Sequence, residues 1–244
     1  EECPGQHLRS PSGARLKNAN LSKARLARVN LTKSDLSNIR LKGAVLARSN
    51  LAGAGLPGVN LNGADLLGAN CTGINLAGAD LGGAELSWAQ LRGANLMKAN
   101  CASARLDSAD LSAARMKWAV LDKASFRDAC LRAADLEGAR LKDAELPSAD
   151  MEGARLMQAN LMEATLAGAN LINAVLTDVN LVKANLAGAS LINADLQKAN
   201  LENAVLDNAV FTSADMKGAR VNKKWQKMLE RQKVRNYNDI RWLD

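Results

Sequence analysis

The sequence predicts an all-β solenoid. Two regularities carry that prediction: a five-residue beat that never breaks, and a small residue two places before each beat. Counting from Leu16, positions 16, 21, 26 and so on to 221 give 42 centres without insertion or deletion, and 34 of them are Leu. The others are Cys71, Cys101, Met116, Phe126, Met151, Phe211, Met216 and Val221. Two residues before each centre, 35 of 42 are Ala; Val29, Ser34, Ile39, Ser49, Val59, Ile74 and Val179 fill the remaining seven places.

On an α-helix a five-residue step turns the side chain by about 140°, which scatters successive leucines around the circumference. On a straight strand an odd step sends them to alternate faces. A chain that turns a corner once per five residues, always in the same sense, directs every Leu and every Ala to one axis. Such a chain is a coil, and its coils stack as parallel rungs about 4.8 Å apart. Burying each Leu contributes on the order of 1.5 to 3 kcal/mol before ordering entropy is subtracted, so a core with only seven aromatic residues in the chain is sufficient.

The pattern A(D/N)LxG, as in "GADLLGANCTG", "GANLMKAN" and "SADLSAARM", resembles that of the pentapeptide-repeat family. The resemblance covers residues 14–221. It implies a right-handed, quadrilateral parallel β-helix with four pentapeptides per coil, hence about ten coils. A 20-residue turn gains support from Met162 with Val182 and Ile172 with Ile192, which become stacked apolar pairs on opposite faces. Asn30, Asn50 and Asn70 fall in one column, Asn160, Asn180 and Asn200 in another, which predicts amide ladders. Arg115, Asp135 and Arg155 predict an exposed ion ladder.

Three segments are expected: an irregular stretch over 1–13, the repeat over 14–221, and a cap over 222–244. In the last, Trp225, Met228 and Leu229 recur at helical spacing, which predicts an amphipathic helix over about 222–235 followed by an apolar tail of Tyr237, Ile240, Trp242 and Leu243. Trp225 and Trp242 then either cover the last coil or dock a partner. The chain begins with Glu1 instead of Met, which suggests removal of a leader and a plastid or mitochondrial location; a soluble bacterial protein is the alternative. No stretch approaches the length of a membrane span.

Charge is uneven along the chain. Residues 14–50 carry nine Lys or Arg against the single acid Asp35, whereas residues 51–221 carry a small acidic excess. Arg15, Lys23, Arg25, Arg28 and Lys33 on the first coils form either a solvated rim or a surface for an anionic partner.

Catalysis is not expected, because an Ala and Leu interior leaves no cleft in which acid, base or nucleophile could converge. Four cysteines without ligand spacing argue against zinc, and the glycines belong to corners instead of a phosphate loop, so no cofactor, metal or small-molecule substrate is implied. Cys71 and Cys101 lie one and a half coils apart, too far for a disulfide, and Cys71 reads as volume exchanged with the bulkier Ile74. Trp88 and Trp118 fall at corners on opposite sides, each a potential contact, and Met157, Met162, Ile172, Val182 and Ile192 are expected on the outer walls.

These features predict a non-catalytic scaffold or accessory subunit with protein partners in a larger assembly. The alternative is a binder of nucleic acid or another acidic surface through the basic end, without aromatic stacking. A DNA-mimic role protecting a type II topoisomerase, which the resemblance raises, conflicts with the net charge of +7.

Overall fold

The protein is described by a computed structural model over residues 16–32 and 34–244. Arg15, Lys33, the segment 1–13 and its His7 and Cys3 lie outside the described residues.

Bridge after bridge joins a residue to the one twenty positions later, always in parallel, from Asn20 with Arg40 to Asp195 with Asp215. The chain is therefore a β solenoid in which four pentapeptides separate stacked residues. Every centre from Leu31 to Val221 is at most 2% exposed. The wall residues are almost all buried with them, so Leu fills the axis and Ala lines it, as the beat predicts.

One repeat accounts for the consensus. In Leu61–Asp65, Leu61 N–H donates to Asp80 C=O (2.7 Å) and Gly63 N–H to Gly82 C=O (2.9 Å), both in the next coil, while Asp65 N–H donates to Ala44 C=O (2.9 Å) in the previous one. Ala64 N–H closes a turn onto Leu61 C=O at 2.9 Å. That leaves the N–H of Asn62, which donates to the side-chain Oδ1 of Asn60 at 3.0 Å. All five donors of the repeat are thus used, which buried or half-buried backbone demands. The D/N of the motif is the side chain that satisfies the fifth.

The third residue of each turn has positive φ, +63° at Gly63, and this is where the consensus places glycine. Many repeats put other residues there, including Trp88 (φ 61°) and Trp118 (φ 59°).

After Val221 the path changes. Strands β1 (Asn200–Leu201), β2 (Arg220–Asn222) and β3 (Arg241–Leu243) form a parallel sheet in that order. Between β2 and β3 run a 3-10 turn, Lys223–Trp225, and helix α1, Gln226–Arg231. The helix expected over 222–235 is therefore six residues long. It is short because both flanks turn inward: Trp225 Nε1 donates to Ala204 C=O (3.2 Å), and Gln232 Nε2 donates to Ala209 C=O (2.8 Å) while its Oε1 accepts from Phe211 N–H. The tail is also more than apolar, since β3 pairs with β2 in the register Arg220 with Arg241 and Val221 with Trp242.

Candidate interaction surfaces

The outward positions are the residue before each centre, the residue after it and the turn residue. Stacked at rung spacing, they form columns whose members shield one another. This corrects the expectation for Met157, Met162, Ile172, Val182 and Ile192. They face outward as expected, but all five are half-buried instead of exposed.

The corners differ. Trp88 is 67% exposed and Trp118 50% exposed. The ring of Trp118 lies over Gly138, twenty residues later, so close that a Cβ there would overlap its Cζ3. Trp118 is thus partly accommodated by its own chain.

The two expected ladders hold only in part. Asn180 Nδ2 donates to Asn160 Oδ1 at 3.0 Å, but Asn30, Asn50 and Asn70 turn their Oδ1 atoms to the N–H groups of Thr32, Ala52 and Thr72. Arg155 reaches Asp135 at 4.0 Å, whereas the guanidinium of Arg115 points to Met97 Sδ at 3.1 Å. The local N–H does not exclude a ladder, since Asn160 Oδ1 also accepts from Met162 N–H at 3.2 Å.

Ion pairs are concentrated away from the start of the solenoid. Lys117 Nζ lies 2.7 Å from Glu137 and 3.4 Å from Asp135, and the hydrogen bond to Glu137 is the main cause that raises its pKa. Arg132 bridges Asp150 (3.1 Å) and Glu152 (2.6 Å), and Arg105 contacts Glu85 at 3.3 Å. Among the described residues every ion pair falls between 85 and 244, so Lys23, Arg25 and Arg28, all exposed, join Lys17, Arg40, Lys42 and Arg48 in making none.

At the other end, Trp225 and Trp242 are partly buried against the core. The Trp242 ring stands 5.6 Å from that of Tyr237, and Lys224 Nζ sits 4.9 Å from the Trp225 ring. The structure therefore places both tryptophans in contacts within the chain.

Chemistry is sparse. Cys71 and Cys101 are free and buried, and burial pushes both thiols up to about 12, helped at Cys101 by the charge of Asp80. Among the described residues no group of three or more His, Cys, Asp or Glu could hold a metal ion, and no helix is long and apolar enough to cross a membrane.

The five-residue register, with eight copies of the pentapeptide-repeat pattern matched across residues 12–223, decides the family. The chain belongs to the pentapeptide-repeat family. HetL, a pentapeptide-repeat protein involved in heterocyst differentiation regulation from the cyanobacterium Nostoc sp. strain PCC 7120, is 31% identical, with a TM-score of 0.61 over 84% of this chain and 90% of that one. A trypsin-treated variant of QnrB1, a plasmid-mediated fluoroquinolone resistance protein, is similar over 81% of this chain and 91% of that one, with a TM-score of 0.57. Its identity of 17% makes that likeness one of fold. No curated protein matches the sequence.

Sequence reasoning missed the inward role of Gln232. Its signal, a lone Gln one residue beyond a short basic helix, carries no periodicity.

Proposed function

We propose that this pentapeptide-repeat protein is a non-catalytic interaction protein, a rod-like scaffold or accessory subunit of a larger protein assembly. The observation that carries the reading is Trp88. Its indole is two-thirds exposed on a backbone with positive φ, so the position carries both a wet aromatic ring and local strain that a glycine would relieve. Burial of that ring against a partner is the simplest compensation, and aromatic anchors of this kind dominate binding energy. HetL's involvement in regulation is in keeping with a role exercised through contacts.

The same proposal includes the finer architecture: about ten four-sided coils over 14–221, and residues 222–244 serving as the terminal cap. Trp225 and Gln232 support the cap, since their side chains occupy bonds that another coil's backbone would make. Size-exclusion chromatography and pull-down from the native source test the functional reading. A stable complex supports it, and a free monomer with no partner sinks it.

A second reading has one observation in its favour, the unpaired basic residues at the start of the solenoid. Lys23, Arg25 and Arg28 would hold an acidic surface, with Arg15 and Lys33 as further sequence candidates, and binding would weaken steeply with salt. Reversal of Arg25, Arg28 and Lys33 to Glu tests it; unchanged binding ends it.

A further inference from the structure

Among the described residues the ladder between successive coils is interrupted at one place before the cap. Three bonds that the register requires are not formed: Gly55 N–H to Ser34 C=O, Leu36 N–H to Gly55 C=O, and Asn38 N–H to Pro57 C=O, while the bridge of Arg40 with Asn60 persists. Pairing resumes on the far side, where Leu41 N–H reaches Asn60 C=O at 3.2 Å, against 2.7 Å for Leu61 to Asp80. The two coils stand apart here around a cleft of about 470 Å³ lined by residues 36–40 and 55–60.

The cause is legible in the walls. Ile39 and Val59 are twenty residues apart, the only β-branched wall residues that stand directly one above the other. Elsewhere the walls are packed around Ala, and two larger branched side chains stacked in that space overfill it and push the backbone apart. A branched wall residue also lengthens its own turn bond, 3.3 Å at Val29, Ile39 and Val59 against 2.9 Å at Ala64, and only here do two such turns stack.

We propose that this gap is a slot for an extended, acidic peptide segment of a protein partner, which docks along the open edges of the two coils. The proposal rests on the interaction reading and names a place for it. Each facing edge presents donors and acceptors together: Leu36 and Asn38 N–H with Ser34 C=O on one side, Gly55 N–H with Gly55 and Pro57 C=O on the other. An extended peptide matches both kinds, as in strand addition to a sheet edge. A phosphodiester chain only accepts, and would leave the carbonyls unmet.

Charge selects the segment further. Arg40 is the charged residue lining the cleft, and exposed Lys17 lies twenty residues before Ser37 in its column. The neighbouring acid Asp35 turns its Oδ1 to the N–H and hydroxyl of Ser37. The floor is apolar, with Ile39 4% and Val59 6% exposed, so alternate residues of the peptide that point inward are small and apolar.

The test uses the full chain and dye-labelled, end-blocked peptides of alternating Val and Glu or alternating Val and Lys. By fluorescence anisotropy the acidic peptide binds at least tenfold more tightly than the basic one. Binding weakens at least tenfold in Ile39→Ala/Val59→Ala, which restores the wall alanines and closes the ladder, and independently in Arg40→Glu. By hydrogen exchange the amides of Leu36, Asn38 and Gly55 exchange fast in the free protein and slowly with the peptide bound. Protection of these amides in the free protein, or equal binding to the closed variant, overturns the slot. Displacement of the peptide by an equal concentration of single-stranded oligonucleotide also overturns it, because the cleft is then a general polyanion site. If the peptides do not bind while a native partner still co-purifies, the slot falls and the interaction reading stands.

Discussion

The ring of Trp118 occupies the space beside Gly138, twenty residues later in the next coil, at a distance that no Cβ could share. Gly138 has φ of 64°, so replacing it by Ala imposes both backbone strain and a clash with the ring. Gly138→Ala is expected to destabilise by about 1 to 3 kcal/mol in urea unfolding. Gly63→Ala, with nothing within 4 Å of its new Cβ, carries only the backbone part. In a double-mutant cycle, Trp118→Gly should recover the clash component of Gly138→Ala, and additivity of the two changes would show that the ring does not rest there.

Gln232 makes the bonds of a missing peptide unit, donating to Ala209 and accepting from Phe211. Gln232→Leu leaves both groups unpaired and should destabilise by about 1 to 3 kcal/mol. The loss should be local: the Phe211 amide should exchange faster, while amides near Leu121 stay as slow as before. A uniform change along the rod would contradict a terminal role.

The turn-capping role of the residue before each centre predicts an asymmetry. Asn60→Ala removes the acceptor for Asn62 N–H and should cost about 1 kcal/mol, whereas Asn60→Asp keeps the acceptor and should be close to neutral. At Lys142 the residue two before is Arg140, and the acceptor is Asp122 of the previous coil at 3.0 Å. Asp122→Ala should therefore destabilise as Asn60→Ala does, although it lies outside the local turn. Chemical unfolding curves of the three variants decide it.

Cys71 and Cys101 have thiols raised to about 12 in the folded chain from 9.0. Because the folded-state values are the higher ones, the stabilising contribution is complete below pH 9 and is lost as pH rises from 9 towards 12. The unfolded chain binds fewer protons in that window, so stability should fall by about 1.4 kcal/mol per pH unit for each cysteine. Cys71→Ala/Cys101→Ala should flatten that slope even though it costs core volume. At about pH 8 a thiol reagent should modify Cys130, which is only half-buried, and reach Cys71 and Cys101 only on unfolding.

The beat made the axis and walls legible because each repeat sees the same surroundings, so one rule of burial applies from Leu31 to Val221. What depended on a single pairing was harder to read. The five donors of a repeat had to be placed before the D/N of the motif could be understood as a turn cap first and a ladder only in places. The half-burial of Ile172 and Ile192 follows from rung spacing, which composition does not express. The gap at Ile39 and Val59 was visible as two exceptions twenty residues apart, yet its consequence required knowing that these positions stack. The end of the solenoid was least legible: Trp225 and Gln232 act through their polar side-chain atoms, and six helical residues leave too little periodicity to fix a boundary.

The measurement that bears most directly on the interaction reading compares wild type with Trp88→Gly, the residue the turn favours. The variant relieves an αL tryptophan, so its fold should be at least as stable, with a gain of about 1 kcal/mol. Affinity purification from the native source, with the partner quantified by mass spectrometry against bait, should show the partner reduced at least tenfold in Trp88→Gly at unchanged far-ultraviolet circular dichroism. Equal partner recovery with the two baits, or none with either, would contradict the account.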